Sequence, residues 1–159
     1  MENKPKTSPK DFFLHLLAII ALYFSAGSFV TLIFQYINVI FPDILVSGAY
    51  YLRSAYSAIR WAIASLIVVF PTYVLTSWFL EKNYQKIPEK RNLKIRRWLV
   101  YFTLFAAAVI MIGDFVALVY NFLGGELTIR FVLKAIAIFF TAGIIFGYYF
   151  YDIYKHKTE

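Results

Sequence analysis

Apolar residues run along this chain in four long blocks separated by short polar stretches. A helix crossing a hydrocarbon core of ~30 Å needs about 20 predominantly apolar residues, and each block is long enough. The pattern predicts helical spans at about 12–41, 56–80, 98–123 and 129–151. Helix-end signals punctuate them. Ser8-Pro9-Lys10-Asp11 reads as an N-cap followed by proline at the first helical position and an acid in the first turn. Pro42 ends the first span, and Gly124-Gly125 breaks the chain between the third and fourth. The first block would be about 45 Å long as a helix, so it must tilt or protrude. Ser25-Ala26-Gly27 resembles a signal-peptide processing site, yet the apolar run resumes at Phe29 and continues to Phe41, which favours a retained helix.

Polar residues inside these blocks carry most of the remaining information, because each is costly in lipid unless it faces protein or water. Ser28, Thr31, Gln35 and Asn38 are spaced by three, four and three residues and draw one stripe along the first helix. Thr103, Ala107, Ile110, Asp114, Ala117 and Asn121 do so in the third; Arg130, Lys134, Ala137, Thr141 and Tyr148 do so in the fourth. Arg53, Arg60, Ala64 and Pro71 share a face of the second. The expected architecture is therefore all-α, a four-helix transmembrane bundle in a single domain, 1–159, with these faces turned inward.

Asp114 is the one acid deep within a span, about nine residues or roughly 13 Å from the nearer end of its helix. Arg60 and Lys134 enter their helices from the same side, so Asp114 is expected to pair with one of them, with Glu126 and Arg130 extending the cluster toward the surface. Such a cluster serves either as a salt-bridge network that fixes helix order or as an ion or ligand site, and the structural role is favoured. Pro71 removes one backbone hydrogen bond near the middle of the second helix and is expected to kink it, with Thr72 and Ser65 available to the exposed carbonyls.

Composition and charge agree with a membrane protein and fix an orientation. The chain is 61% hydrophobic and 16% charged, against about 45–50% and 25% for soluble domains. Its net charge of +7 does not point to nucleic acid, since the basic residues lie beside apolar spans. Lys4, Lys6, Lys10, Lys82, Lys86, Lys90, Arg91, Lys94, Arg96, Arg97, Lys155 and Lys157 fall on one side, and only Arg53, Arg60, Arg130 and Lys134 on the other. Basic residues are retained in the cytoplasm, so both termini and the basic loop 81–97 are expected there, the loop against anionic headgroups.

Candidate chemistry is sparse. No cysteine, HExxH, P-loop, glycine-rich nucleotide fingerprint or Ser–His–Asp set occurs, so no catalytic, metal or cofactor site is expected. His15 and His156 read as one interfacial and one solvated histidine; haem on His15 is a distant third reading. The expected role is a non-enzymatic structural or accessory membrane protein, alone, as a homo-oligomer or with a protein partner in the membrane. A small transporter or channel component using the Asp114 cluster is the alternative.

Several runs resemble a known family. They are Phe34-Gln35-Tyr36-Ile37-Asn38, Phe41-Pro42-Asp43, Arg96-Arg97-Trp98-Leu99, Gly113-Asp114, Gly125-Glu126-Leu127-Thr128-Ile129-Arg130-Phe131 and Lys134. Together they look like a family of small four-span bacterial proteins, frequent in reduced-genome candidate phyla and catalogued only as a membrane domain of unknown function. The resemblance covers nearly the whole chain and implies a multi-pass protein of the bacterial inner (plasma) membrane, with no activity to carry over.

The orientation is open to direct test, helped by the absence of native cysteine. A cysteine placed at Lys90 should resist a membrane-impermeant thiol reagent in intact cells, and one at Ser47 should label. The reverse pattern would invert the topology.

Overall fold

A computed structural model describes residues 8–42, 48–125 and 127–156. They form four helices, α1 (Pro9–Ile40), α2 (Ala49–Lys86), α3 (Lys94–Leu123) and α4 (Ile129–His156), all long and apolar enough to cross a membrane. The Ser8 side chain accepts from the Asp11 amide at 3.1 Å, so α1 starts as its Ser-Pro signal requires. Gly125 ends the third helix with φ 71°, in the left-handed region that glycine enters without steric cost.

The second helix exceeds its expected span at both ends. Its 38 residues amount to about 57 Å of straight helix, so it tilts or projects beyond the hydrocarbon. The basic stretch 81–97 is consequently not a loop in the ordinary sense. Its first six residues finish α2, Pro88–Asn92 form a 3₁₀ turn, and α3 begins at Lys94. Pro88 explains the break, because the residue before a proline is pushed out of the helical region, and Ile87 sits at φ −131°, ψ 86°. At Pro71 the second helix continues unbroken. The Thr72 hydroxyl donates to the Val68 carbonyl at 2.8 Å, one residue past the carbonyl that proline leaves without its amide.

Close contact between helices is made by small residues. Ala18, Ala21, Ala55, Ala62, Ala107, Ala135, Ala137 and Ala142 are buried, whereas Trp61, Trp78 and Trp98 all face outward. Lipid tails are as apolar as leucine, so burying large side chains gains little there, and close backbone approach with dispersion contacts supplies the attraction instead. The first helix is the centre of the arrangement. It packs along α2 and also against α4, while α3 packs along α4; α2 and α4 hardly approach one another.

Asp11, His15, Ala18, Ala21, Ser25 and Ser28 form one buried line down α1. The stripe read from the sequence, Ser28, Thr31, Gln35 and Asn38, is the continuation of that line, fully buried at Ser28 and half-buried beyond it. The face expected to turn inward on α2 needs correction. Arg53, Arg60, Ala64 and Pro71 are exposed, and α2 instead buries Ala55, Ile59 and Ala62, then Thr76, Leu80 and Tyr84. The reason is the preference for small residues at a close helix crossing, which Ala55 and Ala62 meet and the two arginines do not. On α3 only Leu99, Val100, Thr103 and Ala107 are buried, so its second half lacks full helix cover.

Leu93, at the junction of the turn and α3, is only 2% exposed, and its carbonyl accepts the first helical bond from Arg97 at 3.1 Å. Leu93→Ala would leave a cavity where the chain reverses. Thermal or denaturant unfolding in detergent should show a loss of about 2–5 kcal/mol.

Candidate functional site

The densest polar assembly lies where α1 begins, α2 and α4 end, and α3 starts. It is built around two aromatic rings, those of His15 and Tyr84. The His15 Nδ1 lies 2.7 Å from the Asp11 carbonyl oxygen, which can only accept, so Nδ1 carries the proton. In the neutral ring Nε2 is then an acceptor, and the Tyr84 hydroxyl donates to it at 2.5 Å. Both groups are buried, and the two ring nitrogens are fully engaged. The histidine read as interfacial is a buried link between α1 and α2, and its ring offers no lone pair to a haem iron. The His156 side chain lies outside the described residues.

Charges surround this pair and knit the remaining elements to it. Lys90 of the turn reaches Asp11 of α1 at 3.3 Å, a bridge in which the carboxylate is buried. Arg91 pairs with Glu81 of α2, and Arg96 of α3 pairs with Asp152 of α4. The guanidinium groups of Arg91 and Arg96 lie 5.5 and 5.3 Å from the Tyr84 ring centre, within cation–π range. Arg96 also donates to the Arg91 carbonyl at 3.0 Å. Between Tyr73 of α2 and Tyr149 of α4 the hydroxyls meet at 3.4 Å. A cleft of about 100 Å³ remains, walled by His15, Ser77, Tyr84, Arg96, Tyr148 and Asp152, enough for a few water molecules.

The cluster expected at the opposite end does not assemble. Asp114 is half-buried and makes no ion pair or hydrogen bond among the described residues. Arg60 is exposed, and the Lys134 ammonium lies 5.4 Å from the ring centre of Phe34. Arg130 donates to the Asn38 side-chain Oδ1 at 2.8 Å and lies 3.4 Å from the Tyr51 hydroxyl, while the Asn38 side-chain amide donates to Gln35 Oε1 at 3.3 Å. Glu126 lies outside the described residues. Equal depth in the membrane placed Asp114, Arg60 and Lys134 together, but side chains at one depth meet only when both helices turn the right faces toward each other. Arg130 and the Gln35–Asn38 end of the polar stripe are brought together instead.

The sequence did carry a signal for the assembly at the basic end. Asp11 and His15 lie four apart on the face that continues through Ala18, Ser25 and Ser28, and Glu81 and Asp152 are the acids nearest the ends of their apolar blocks. What it did not carry was the partner of each. No group of three or more metal-type ligands converges among the described residues.

The two ends should respond differently to mutation. Tyr84→Phe strands the His15 acceptor in a buried setting, and stability in detergent should fall by about 1–3 kcal/mol. Asp114→Asn removes a carboxylate with no described partner, so the isolated protein should melt at the wild-type temperature or slightly above it. Equal losses from both would show that Asp114 is paired after all.

Comparison with known proteins gives a family and no activity. No curated protein and no solved structure matches the chain. Residues 11–149, from the buried Asp11 to the buried Tyr149, match a single family model over most of the chain. On that match this multi-pass membrane protein belongs to the family described as Domain of unknown function (DUF5671).

Proposed function

We propose that the protein is a non-enzymatic accessory component of a larger membrane assembly, with α3 as its docking helix. The observation that carries this is the carboxylate of Asp114. Half-buried within an apolar helix, it has no partner among the described residues, and the half of α3 that bears it has no fully buried residue. Hydrocarbon offers a carboxylate nothing, and ionisable groups within spans pair with one another or face a protected interior. A neighbouring helix that presents a cation or hydrogen-bond donor to Asp114 satisfies both the charge and the uncovered face. A second copy of this chain and a different membrane protein are both suitable sources.

Six charged groups at the opposite end support the same reading, because Lys90, Arg91 and Arg96 are spent on Asp11, Glu81 and Asp152 in three ion pairs across four helices and a turn. A transporter would need Asp114, Arg60, Arg130 and Lys134 to line a common path, and those four side chains do not converge. In this reading the basic end is the cytoplasmic one, as its charge favours, with lysines and arginines toward anionic headgroups, and the membrane is the bacterial inner membrane that the family resemblance implies.

A photo-crosslinking residue at Ile110, one turn from Asp114 on the same face, should give one discrete protein adduct in intact membranes. The same residue at Val68, on the outward face of α2, should not. Asp114→Asn should weaken the Ile110 adduct. Diffuse labelling at both positions, or an adduct indifferent to Asp114, would remove the accessory role.

A further inference from the structure

Three hollows lie one after another between α2 and α4, each sharing wall residues with the next. At the basic end, one of about 580 Å³ opens beside Gln85, Pro88 and Lys155. Glu81, Tyr84, Tyr148 and Asp152 wall both this hollow and the cleft of about 100 Å³ below it. Tyr73 in turn walls that cleft and a third hollow of about 220 Å³, whose other sides are Leu22, Phe29, Leu66, Phe70 and Ile144. The crevice exists because α2 and α4 both lean on α1 and hardly on each other, while the Tyr73–Tyr149 contact bridges it from side to side.

We infer that this crevice is a binding site for one phospholipid carrying a single net negative charge, from the leaflet on the basic side. Its chemistry changes along its length in the way an amphiphile does. The mouth holds Arg91, Arg96 and Lys155 against Glu81 and Asp152, three cations to two carboxylates, and Lys155 makes no ion pair among the described residues. Among the described residues one positive charge is left for a phosphate, and Tyr148 and Tyr151 add hydroxyl donors to the same wall. Below Tyr73 the walls are aliphatic and aromatic apart from Ser25 and Thr141. From Glu81 to Leu66 is about 22 Å along α2, more than the ~15 Å that one leaflet's hydrocarbon occupies, so a whole acyl chain fits the length. A zwitterionic headgroup offers the same phosphate but brings its own cation, so it gains less from the lysine. The site goes beyond the accessory role and uses α2 and α4, away from the Asp114 face of α3, so either can fail without the other.

The test is native mass spectrometry of the full chain, reconstituted in phosphatidylcholine with phosphatidylglycerol as the minor component and then released in mild detergent. One phosphatidylglycerol should remain bound, above its share of the mixture. Ile144→Trp fills the lower hollow from a position that is itself exposed, and should abolish retention without shifting the melting temperature. Lys155→Ala should lower the preference for phosphatidylglycerol about fivefold, the share of one basic residue at an anionic surface, and leave phosphatidylcholine unaffected. Retention without preference for the anionic lipid, or retention undiminished in a folded Ile144→Trp protein, would overturn the site. Should Ile144→Trp not fold, an unchanged preference in Lys155→Ala overturns it alone.

Discussion

The Tyr84 hydroxyl donates to His15 inside a ring of three ion pairs, and the order of the four helices depends on that arrangement. Within a bilayer the hydrophobic effect sorts helices into lipid but does not press them together, since the lipid is as apolar as the side chains. Alanine contacts let the backbones approach without dictating which helix meets which. Directional groups supply that information, and here they are gathered at one end. Asp11 and His15 commit α1, Glu81 and Tyr84 commit α2, Arg96 commits α3, and Asp152 commits α4. A polar network of this kind is costly when half satisfied and rigid when complete, so it defines a single arrangement better than apolar packing can.

Fastening the bundle at one end leaves freedom at the other. The third helix buries Leu99, Val100, Thr103 and Ala107 and fully buries nothing beyond them, which leaves Asp114 and Asn121 only half covered. The second helix follows α1 throughout its length but stands apart from α4, which opens the crevice below Tyr73. Both features have one cause. The pairs that draw α2, α3 and α4 together lie near the basic turn, and few directional contacts replace them farther along. Arg130 with Asn38 and Tyr51 is the main exception, holding α4 to α1 and α2 near their far ends.

Much of this was legible in the sequence, because it depends on quantities that do not require knowledge of contacts. Apolar blocks of sufficient length fix four spanning helices, since a bilayer demands about 20 residues per crossing whatever their neighbours are. Ser8-Pro9 and Gly124-Gly125 mark ends through local backbone chemistry, and the stripe through Ser28, Thr31, Gln35 and Asn38 marks a real face of α1. The same periodicity misled on α2, where Arg53, Arg60, Ala64 and Pro71 share a face that turns outward. A polar stripe shows that residues lie together on a helix; it does not show what stands opposite.

Only the tertiary structure decided which groups meet. Asp114, Lys134 and Arg60 share a depth, and depth is readable from counting residues, but their azimuths depend on how each helix rotates against its neighbours. Rotation is set by where alanines allow close approach and where a polar group finds its complement, both of which are long-range. His15 and Tyr84 are 69 residues apart and Arg96 and Asp152 are 56 apart, and nothing in the local pattern of either pair names the other. The sequence alone thus determined that the chain crosses a membrane four times and which side of it is basic. The fold decided that Asp11, Glu81 and Asp152 at the basic end would be paired and the acid within the membrane left open, because pairing requires two elements to present facing sides at one height.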